Sequence, residues 1–238
     1  REVDRGEFTD GIDEFHRRAF EVLTSSRLAD ALDLSREDQD GRNRYGLDGS
    51  YPNEREGKTM LDQFLLARRV IEAGARCVTL AFSRWPFGRM LQGDYNWDWH
   101  KDNFTEARGA LPLFDLGMSA LIDDLSERGL LDDIAVVAWG EFGRTPKITR
   151  LPQYYELPGR DHWGAVQSVF FAGGGVQGGA VVGKSDRHGG YPKEAKQTPE
   201  NLAATIYDAL GINPQATWND GAGRPYHVYH ANPIAGLV

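Results

Sequence analysis

Apolar positions recur along the chain with two different spacings, which predicts helices alternating with short strands. Apolar residues three and four positions apart predict helices over residues 59–74 and 106–128. Nearly continuous apolar runs at residues 133–139 and 166–172 are typical of strands that are buried on both faces of a sheet. Two further strands are predicted at residues 76–82 and 180–183. This order of elements predicts an α/β fold, a mainly parallel sheet flanked by helices on both faces.

The two ends of the chain differ from this central part. Apolar residues at helical spacing predict a first helix over residues 9–23, and the charged segment at residues 35–45 is expected to be solvated. Thr198 and Pro199 are typical of a helix start, and Gly211 of its end. We therefore divide the chain into a helical and charged extension with a loop at residues 1–58, the α/β core at residues 59–212, and an irregular tail at residues 213–238.

Charge and composition exclude several classes of protein. The 27 Lys and Arg against 35 Asp and Glu give a formal net charge of −8 without a basic block, which argues against a nucleic-acid surface. No apolar run approaches the roughly 18 residues of a membrane helix. The single cysteine, Cys77, excludes a disulfide framework and a Cys-rich metal site, and we expect it to pack inside a strand. Because the chain opens at Arg1 without Met or an apolar targeting stretch, we expect it to be part of a longer protein.

Candidate chemistry lies in the loops that follow the predicted strands, because ligands bind beyond the carboxyl ends of the strands in parallel sheets. Asp98 and His100 have a spacing that suits a pair of ligands for Zn²⁺ or a similar divalent ion. Glu141 follows the predicted central strand, and Arg144 suits a phosphate or sulfate because its planar fork offers two donors. His162 belongs to a third loop motif, next to an aspartate. Each motif alone is also typical of an ordinary surface loop, but three on one predicted edge favour metal or anion chemistry.

A glycine-rich run at residues 173–178 has the spacing of a dinucleotide-binding fingerprint, but we do not interpret it as one. That fingerprint opens a helix whose N-terminus meets the pyrophosphate, whereas the residues here continue as a glycine-rich, β-type segment. No cofactor-binding residue is assigned, and His227 and His230 in the tail are given no role.

Several short motifs occur in an order that resembles one known bacterial family. The longest are Gly-Glu-Phe-Gly-Arg-Thr-Pro at residues 140–146 and Gly-Arg-Asp-His-Trp at residues 159–163. Shorter ones lie at residues 31–35, 66–69, 97–100, 172–175 and 186–190. As an ordered set they resemble the domain of unknown function 1501 family. This family is grouped with the sulfatase-like enzymes of the alkaline phosphatase superfamily, and its members are often predicted to be exported.

The resemblance implies a divalent metal site that acts on an anionic substrate. The implied metal ligands are Asp98, His100, Glu141 and His162. Arg144, a candidate because of its planar fork, is the expected catalytic residue and would hold the anionic group. Phe142 stands where related enzymes place a histidine, which argues against a second metal. Zn²⁺ is the first candidate for the ion, ahead of Mn²⁺, Ca²⁺ and Mg²⁺. Because the family's first Asp ligand and its nucleophile would lie further towards the N-terminus, we interpret this chain as a C-terminal portion.

We therefore expect a sulfatase-like domain that, in the full-length protein, takes part in metal-dependent hydrolysis of phosphate or sulfate esters. Two alternatives stay open. One is a catalytically degenerate module that binds a ligand, for which Phe142 is the main argument; the other is a structural module of an exported bacterial protein. The expected partner is an anionic ester, with no nucleic acid and no membrane span, and the oligomeric state stays open. The resemblance implies a periplasmic or otherwise exported protein.

Overall fold

The computed structural model describes residues 16–17, 21, 25–48, 60–82, 97–150, 152–153 and 157–237. The chain divides into two compact units, Arg1–Phe82 and Ser83–Val238. Most of the helix predicted over residues 9–23 and much of the loop at residues 83–104 lie outside the described residues. None of the described helices is both long enough and apolar enough to cross a membrane.

Over residues 25–48 and 60–82, the first unit contains helices. They are α1 (Ser26–Leu32), a 3₁₀ turn (Leu34–Arg36), α2 (Gln39–Arg44) and α3 (Asp62–Glu72). The helix predicted over residues 59–74 is confirmed by α3, whose side chains Phe64 and Leu65 are buried. Gly74 follows the helix with a φ of 105°, a left-handed conformation that glycine adopts without a steric penalty.

The charged segment at residues 35–45 is not solvated throughout, contrary to the expectation. The side chain of Glu37 is only 6% exposed, and it pairs with Arg68 at 2.5 Å and with Arg69 at 2.6 Å. Arg69 also donates a hydrogen bond to the backbone carbonyl of Ala31 over 2.9 Å. The segment packs against α3 because a carboxylate removed from water needs cationic partners.

The strand predicted at residues 76–82 is wrong. These residues are irregular, and Cys77, which we expected to be packed inside the strand, is exposed. Residues with a high β propensity indicate a segment that can fit into a sheet, but the segment forms a strand only where a neighbouring strand is available to pair with it.

The mainly parallel sheet flanked by helices is also wrong. The strands of the described residues form four separate two-stranded sheets, all antiparallel. They pair β1 (Val136–Ala138) with β4 (Phe170–Ala172), β2 (Gly143–Arg144) with β3 (His162–Trp163), β5 (Lys184–Ser185) with β6 (Pro192–Glu194), and β7 (Thr217–Asn219) with β8 (Pro225–His227). The two apolar runs predicted as central strands do contain β1 and β4, and these do pair. They are not covered on both faces, however, since Trp139 is 52% exposed and Phe170 is 45% exposed.

Two helices in the described part of the second unit agree with the prediction. α4 covers Asn103–Glu127, and Leu121 and Leu125 are buried as expected, although Leu111 is exposed. α5 covers Pro199–Ala209 and begins with a capping box, in which the backbone N–H of Thr198 donates to the side chain of Asn201 over 3.0 Å.

The remaining short strands differ from the prediction. Residues 180–183 form no strand, and β5 begins only after them. The tail from residue 213 is not irregular throughout, because β7 and β8 form a hairpin in which Trp218 lies opposite Tyr226.

Candidate metal centre

The β2–β3 hairpin places two of the predicted site residues side by side. Arg144 on β2 lies directly opposite His162 on β3. Side chains of residues paired across two antiparallel strands lie on the same face of the sheet and can interact with the same partner. The pairing continues past the strands, since the backbone N–H of Thr145 donates to the carbonyl of Asp161 over 2.9 Å.

The loop that carries Asp98 and His100 packs against this hairpin through its main chain. The backbone N–H of Arg160 donates to the carbonyl of Trp99 over 3.1 Å. At the neighbouring position, a Cβ atom added to Gly159 would overlap the backbone of His100. Only glycine permits this close approach, so Gly159 is required where the two loops meet.

A second contact anchors the same loop to α4. The ring of Trp97 packs edge-on against Phe114 of α4, with ring centroids 6.0 Å apart, and Trp97 also lies 5.3 Å from the ring of Trp99. The loop is therefore fixed on both sides, by α4 and by the hairpin.

Three of the predicted ligands come together at this point. Oδ1 of Asp98 lies 3.1 Å from Nε2 of His100 and 2.8 Å from Nε2 of His162, and the two Nε2 atoms are 3.2 Å apart. The side chains are 34%, 20% and 53% exposed, respectively, so His162 forms the open side of the cluster.

These three atoms suit one divalent ion. Tetrahedral ligands with bonds of about 2.0–2.1 Å to Zn²⁺ are separated by about 3.4 Å, so outward shifts of a few tenths of an ångström are enough to fit the ion. Two imidazoles and one carboxylate, with a further position open, are ligands of catalytic zinc and of non-haem iron(II). The donor atoms and their spacing therefore fit a metal centre formed by Asp98, His100 and His162.

Arg144 contacts the carboxylate of the same cluster. Its Nη2 atom lies 2.5 Å from Oδ1 of Asp98, and its side chain is only partly exposed. Partial burial raises the pKa of Asp98, but the hydrogen bonds from His162 and Arg144 and the positive charge of Arg144 outweigh it and hold that pKa below its usual value. Asp98 is therefore ionised at neutral pH, as a metal ligand must be.

The ring of His100 has a second partner that sequence reasoning did not identify. Its Nδ1 atom lies 2.8 Å from Oδ1 of Asp161. Asp161 belongs to the same motif as His162, and its position immediately before a candidate ligand was the signal in the sequence. What the sequence lacked was any indication that this carboxylate meets the other histidine.

The other predicted residues are placed as follows. Glu141 is exposed and lies outside the group formed by Asp98 and the two histidines. Phe142, which stands where a histidine ligand was expected from the resemblance, packs against the ring of His162 with centroids 4.7 Å apart. Phe142 therefore packs against a candidate ligand, His162.

A family model described as "Protein of unknown function (DUF1501)" matches residues 4–238. Neither a curated protein nor a solved structure gives a match.

Proposed function

We propose that this chain, which belongs to the DUF1501 family, provides the metal centre of a hydrolase that acts on phosphate or sulfate esters. The observation that carries the proposal is the convergence of three donor atoms, on Asp98, His100 and His162, within 3.2 Å of one another. The presence of Arg144 at the same carboxylate adds a group that binds anions.

The electrostatics of the cluster favour a cation. An ionised carboxylate oxygen and two imidazole nitrogens meet in one small space, and the lone pairs of such atoms repel unless a proton or a metal ion lies between them. Imidazole nitrogen suits Zn²⁺ and other transition metals, whereas Ca²⁺ and Mg²⁺ prefer sites made of oxygen ligands. We therefore propose Zn²⁺ as the ion, with Mn²⁺ as the next candidate.

The proposed chemistry divides between the ion and the chain. A bound divalent ion supplies Lewis-acid polarisation of a phosphoryl or sulfuryl oxygen. Asp98, His100 and His162 hold it, and the more exposed His162 marks the side from which a substrate enters. Arg144 would bind two oxygens of the ester group through its planar fork, for which its guanidinium must turn from Asp98.

The reaction class rests on the motifs at residues 140–146 and 159–163, which resemble those of the DUF1501 family, a family grouped with the sulfatase-like enzymes. A relationship to the alkaline phosphatase superfamily and export from the cytoplasm belong to the proposal for the same reason. Fractionation of cells that produce the full-length protein tests export. Recovery with the periplasmic or secreted fraction is expected, and recovery with the cytoplasmic fraction contradicts it.

Metal content and hydrolysis together test the function. Elemental mass spectrometry of protein purified without chelators should find close to one transition-metal ion per chain, and His100→Ala should lose it. The full-length protein should then hydrolyse 4-nitrophenyl phosphate or sulfate, and its His100→Ala variant should not. Protein without metal contradicts the proposed centre, whereas bound metal without hydrolysis favours a module that only binds its ligand.

A further inference from the structure

We propose that Asp161 is a positioning residue that fixes the tautomer and the ring orientation of His100, so that its Nε2 atom is available to a metal ion. This inference rests on the proposed metal centre. Metal-binding histidines commonly donate their second ring N–H to a carboxylate, which sets the tautomer and makes the ligand nitrogen more basic. Asp161 occupies that position on His100.

The direction of the hydrogen bond follows from the groups involved. An ionised carboxylate can only accept, so the proton in the 2.8 Å contact between Oδ1 of Asp161 and the ring of His100 resides on Nδ1. An imidazole that binds a metal is neutral and carries a single ring proton, so with Nδ1 protonated the lone pair of His100 lies on Nε2. That lone pair faces Asp98 at 3.1 Å and His162 at 3.2 Å, which is where the ion would bind.

Asp161 is itself held in place by the hairpin. Its backbone N–H donates to Oγ1 of Thr145 over 3.0 Å, and its carbonyl accepts the backbone N–H of Thr145 over 2.9 Å. Oγ1 of Thr149 lies 3.4 Å from the second carboxylate oxygen. A carboxylate fixed at both the main chain and the side chain can hold a ring in one orientation, which a mobile surface carboxylate cannot do.

One segment therefore positions both histidines. His162 follows Asp161 directly and offers its own Nε2 atom, while Asp161 holds the ring of His100, and Gly159 allows the backbone of His100 to approach. The side chain of Asp161 is 40% exposed. Because it is not part of a buried core, its replacement should leave the fold intact and change the metal centre.

The test compares Asp161→Ala and Asp161→Asn with Asp208→Asn, a change of an exposed carboxylate on α5. Long-range ¹H–¹⁵N NMR of the metal-stripped chain reads the tautomer of His100, assigned by the signal that His100→Ala lacks. Competition with a chelating dye measures zinc affinity, and thermal unfolding of the stripped protein controls for folding.

We expect Nδ1–H on His100 in the unmodified chain and in Asp161→Asn, whose amide oxygen still accepts, and loss of this preference in Asp161→Ala. Zinc affinity should fall about 10–100-fold in Asp161→Ala, less in Asp161→Asn, and not in Asp208→Asn. An Nε2–H tautomer in the unmodified chain, or unchanged zinc affinity in Asp161→Ala, overturns the inference. The tautomer is read without metal, so failure of the unmodified chain to bind zinc counts against the proposed function and leaves the role of Asp161 to be decided by NMR.

Discussion

Each of the two compact units contains a cluster of charged side chains, and the two clusters differ in balance and in access to water. In the first unit, the carboxylate of Glu37 is enclosed by Arg68 and Arg69, and the three side chains are only 6%, 3% and 12% exposed. In the second unit, Asp98 is 34% exposed and its neighbour His162 is 53% exposed. The first cluster is closed, and the second is open on one side.

The balance of donors and acceptors differs as well. Arg68 has two carboxylate partners, since Glu72 lies 2.7 Å from it in addition to Glu37, so the first cluster matches cations with anions. In the second cluster, two imidazoles and Arg144 all approach the same oxygen of Asp98. A balanced, buried cluster holds a segment in place, whereas an open cluster in which several groups share one carboxylate oxygen can bind a further partner.

The largest effect is expected when Arg144 is replaced. This variant tests whether the arginine of the second cluster has a different role from the arginines of the first. Arg144→Ala should lower kcat for ester hydrolysis by about 10²–10³-fold, because it removes the guanidinium that, in the proposed function, turns from Asp98 to bind the anionic group. Zinc affinity should hold or rise, since the guanidinium no longer competes for Asp98. Both are measured on one preparation, with Arg144→Lys as the control that keeps the charge and loses the fork. A loss of zinc affinity in Arg144→Ala would instead give Arg144 a structural role like that of Arg68.

Replacing Glu37 is expected to change the stability of the fold and not the binding of zinc. Glu37→Ala should lower the free energy of unfolding by about 3 kcal/mol, because it leaves a buried arginine pair short of one carboxylate. Urea unfolding measures the loss, and Glu37→Gln, which keeps a hydrogen-bonding oxygen, should lose less. Zinc affinity of the folded variant should equal that of the unmodified chain. A change in unfolding free energy below about 1 kcal/mol would mean that the pairing contributes no more than a surface ion pair does.

A smaller effect is expected where the two ligand loops meet. Gly159→Ala places a methyl group against the backbone of His100 and should destabilise the fold by about 2 kcal/mol while weakening zinc binding. Gly178→Ala is the matched control, because a Cβ atom there meets no other atom within 4 Å. Thermal unfolding and dye competition compare the two variants, and equal behaviour of both would show that the close approach at Gly159 is not needed.

The smallest effect is expected at Glu141, whose predicted role as a metal ligand is still to be tested. The resemblance implied a ligand at this position, but Glu141 is exposed and outside the group of Asp98, His100 and His162. Glu141→Gln should leave zinc affinity within about twofold, as an exposed charge contributes little. Asp98→Asn provides the positive control, and a loss in Glu141→Gln as large as in that variant would restore Glu141 as a ligand.

Helices were predictable because their signals are local. α3, α4 and α5 follow from apolar spacing together with the Gly, Thr and Pro residues at their ends. The sheet was not predictable in the same way. The apolar runs around β1 and β4 correctly indicated strands, but their antiparallel pairing depends on contacts between segments that lie far apart in the chain.

The residues of the candidate site show the same difference between local and long-range signals. Asp98, His100, His162 and Arg144 were identified from residue type and motif, because the chemistry of a side chain is written in the sequence. The roles of Asp161 and Gly159 were not, since each depends on the approach of the loop at residues 98–100.

The sequence by itself therefore indicated which residues are candidate ligands of a metal or an anion, where the main helices lie to within a few residues, and the family to which the chain belongs. Only the tertiary structure decided how its strands pair, that Arg144 faces His162 across a hairpin, and that Glu141 stays outside the cluster. The physical reason is the distance along the chain over which each kind of interaction acts. Helix periodicity and capping act over a few residues, whereas strand partners and metal ligands are brought together by packing between distant segments, which no local pattern encodes.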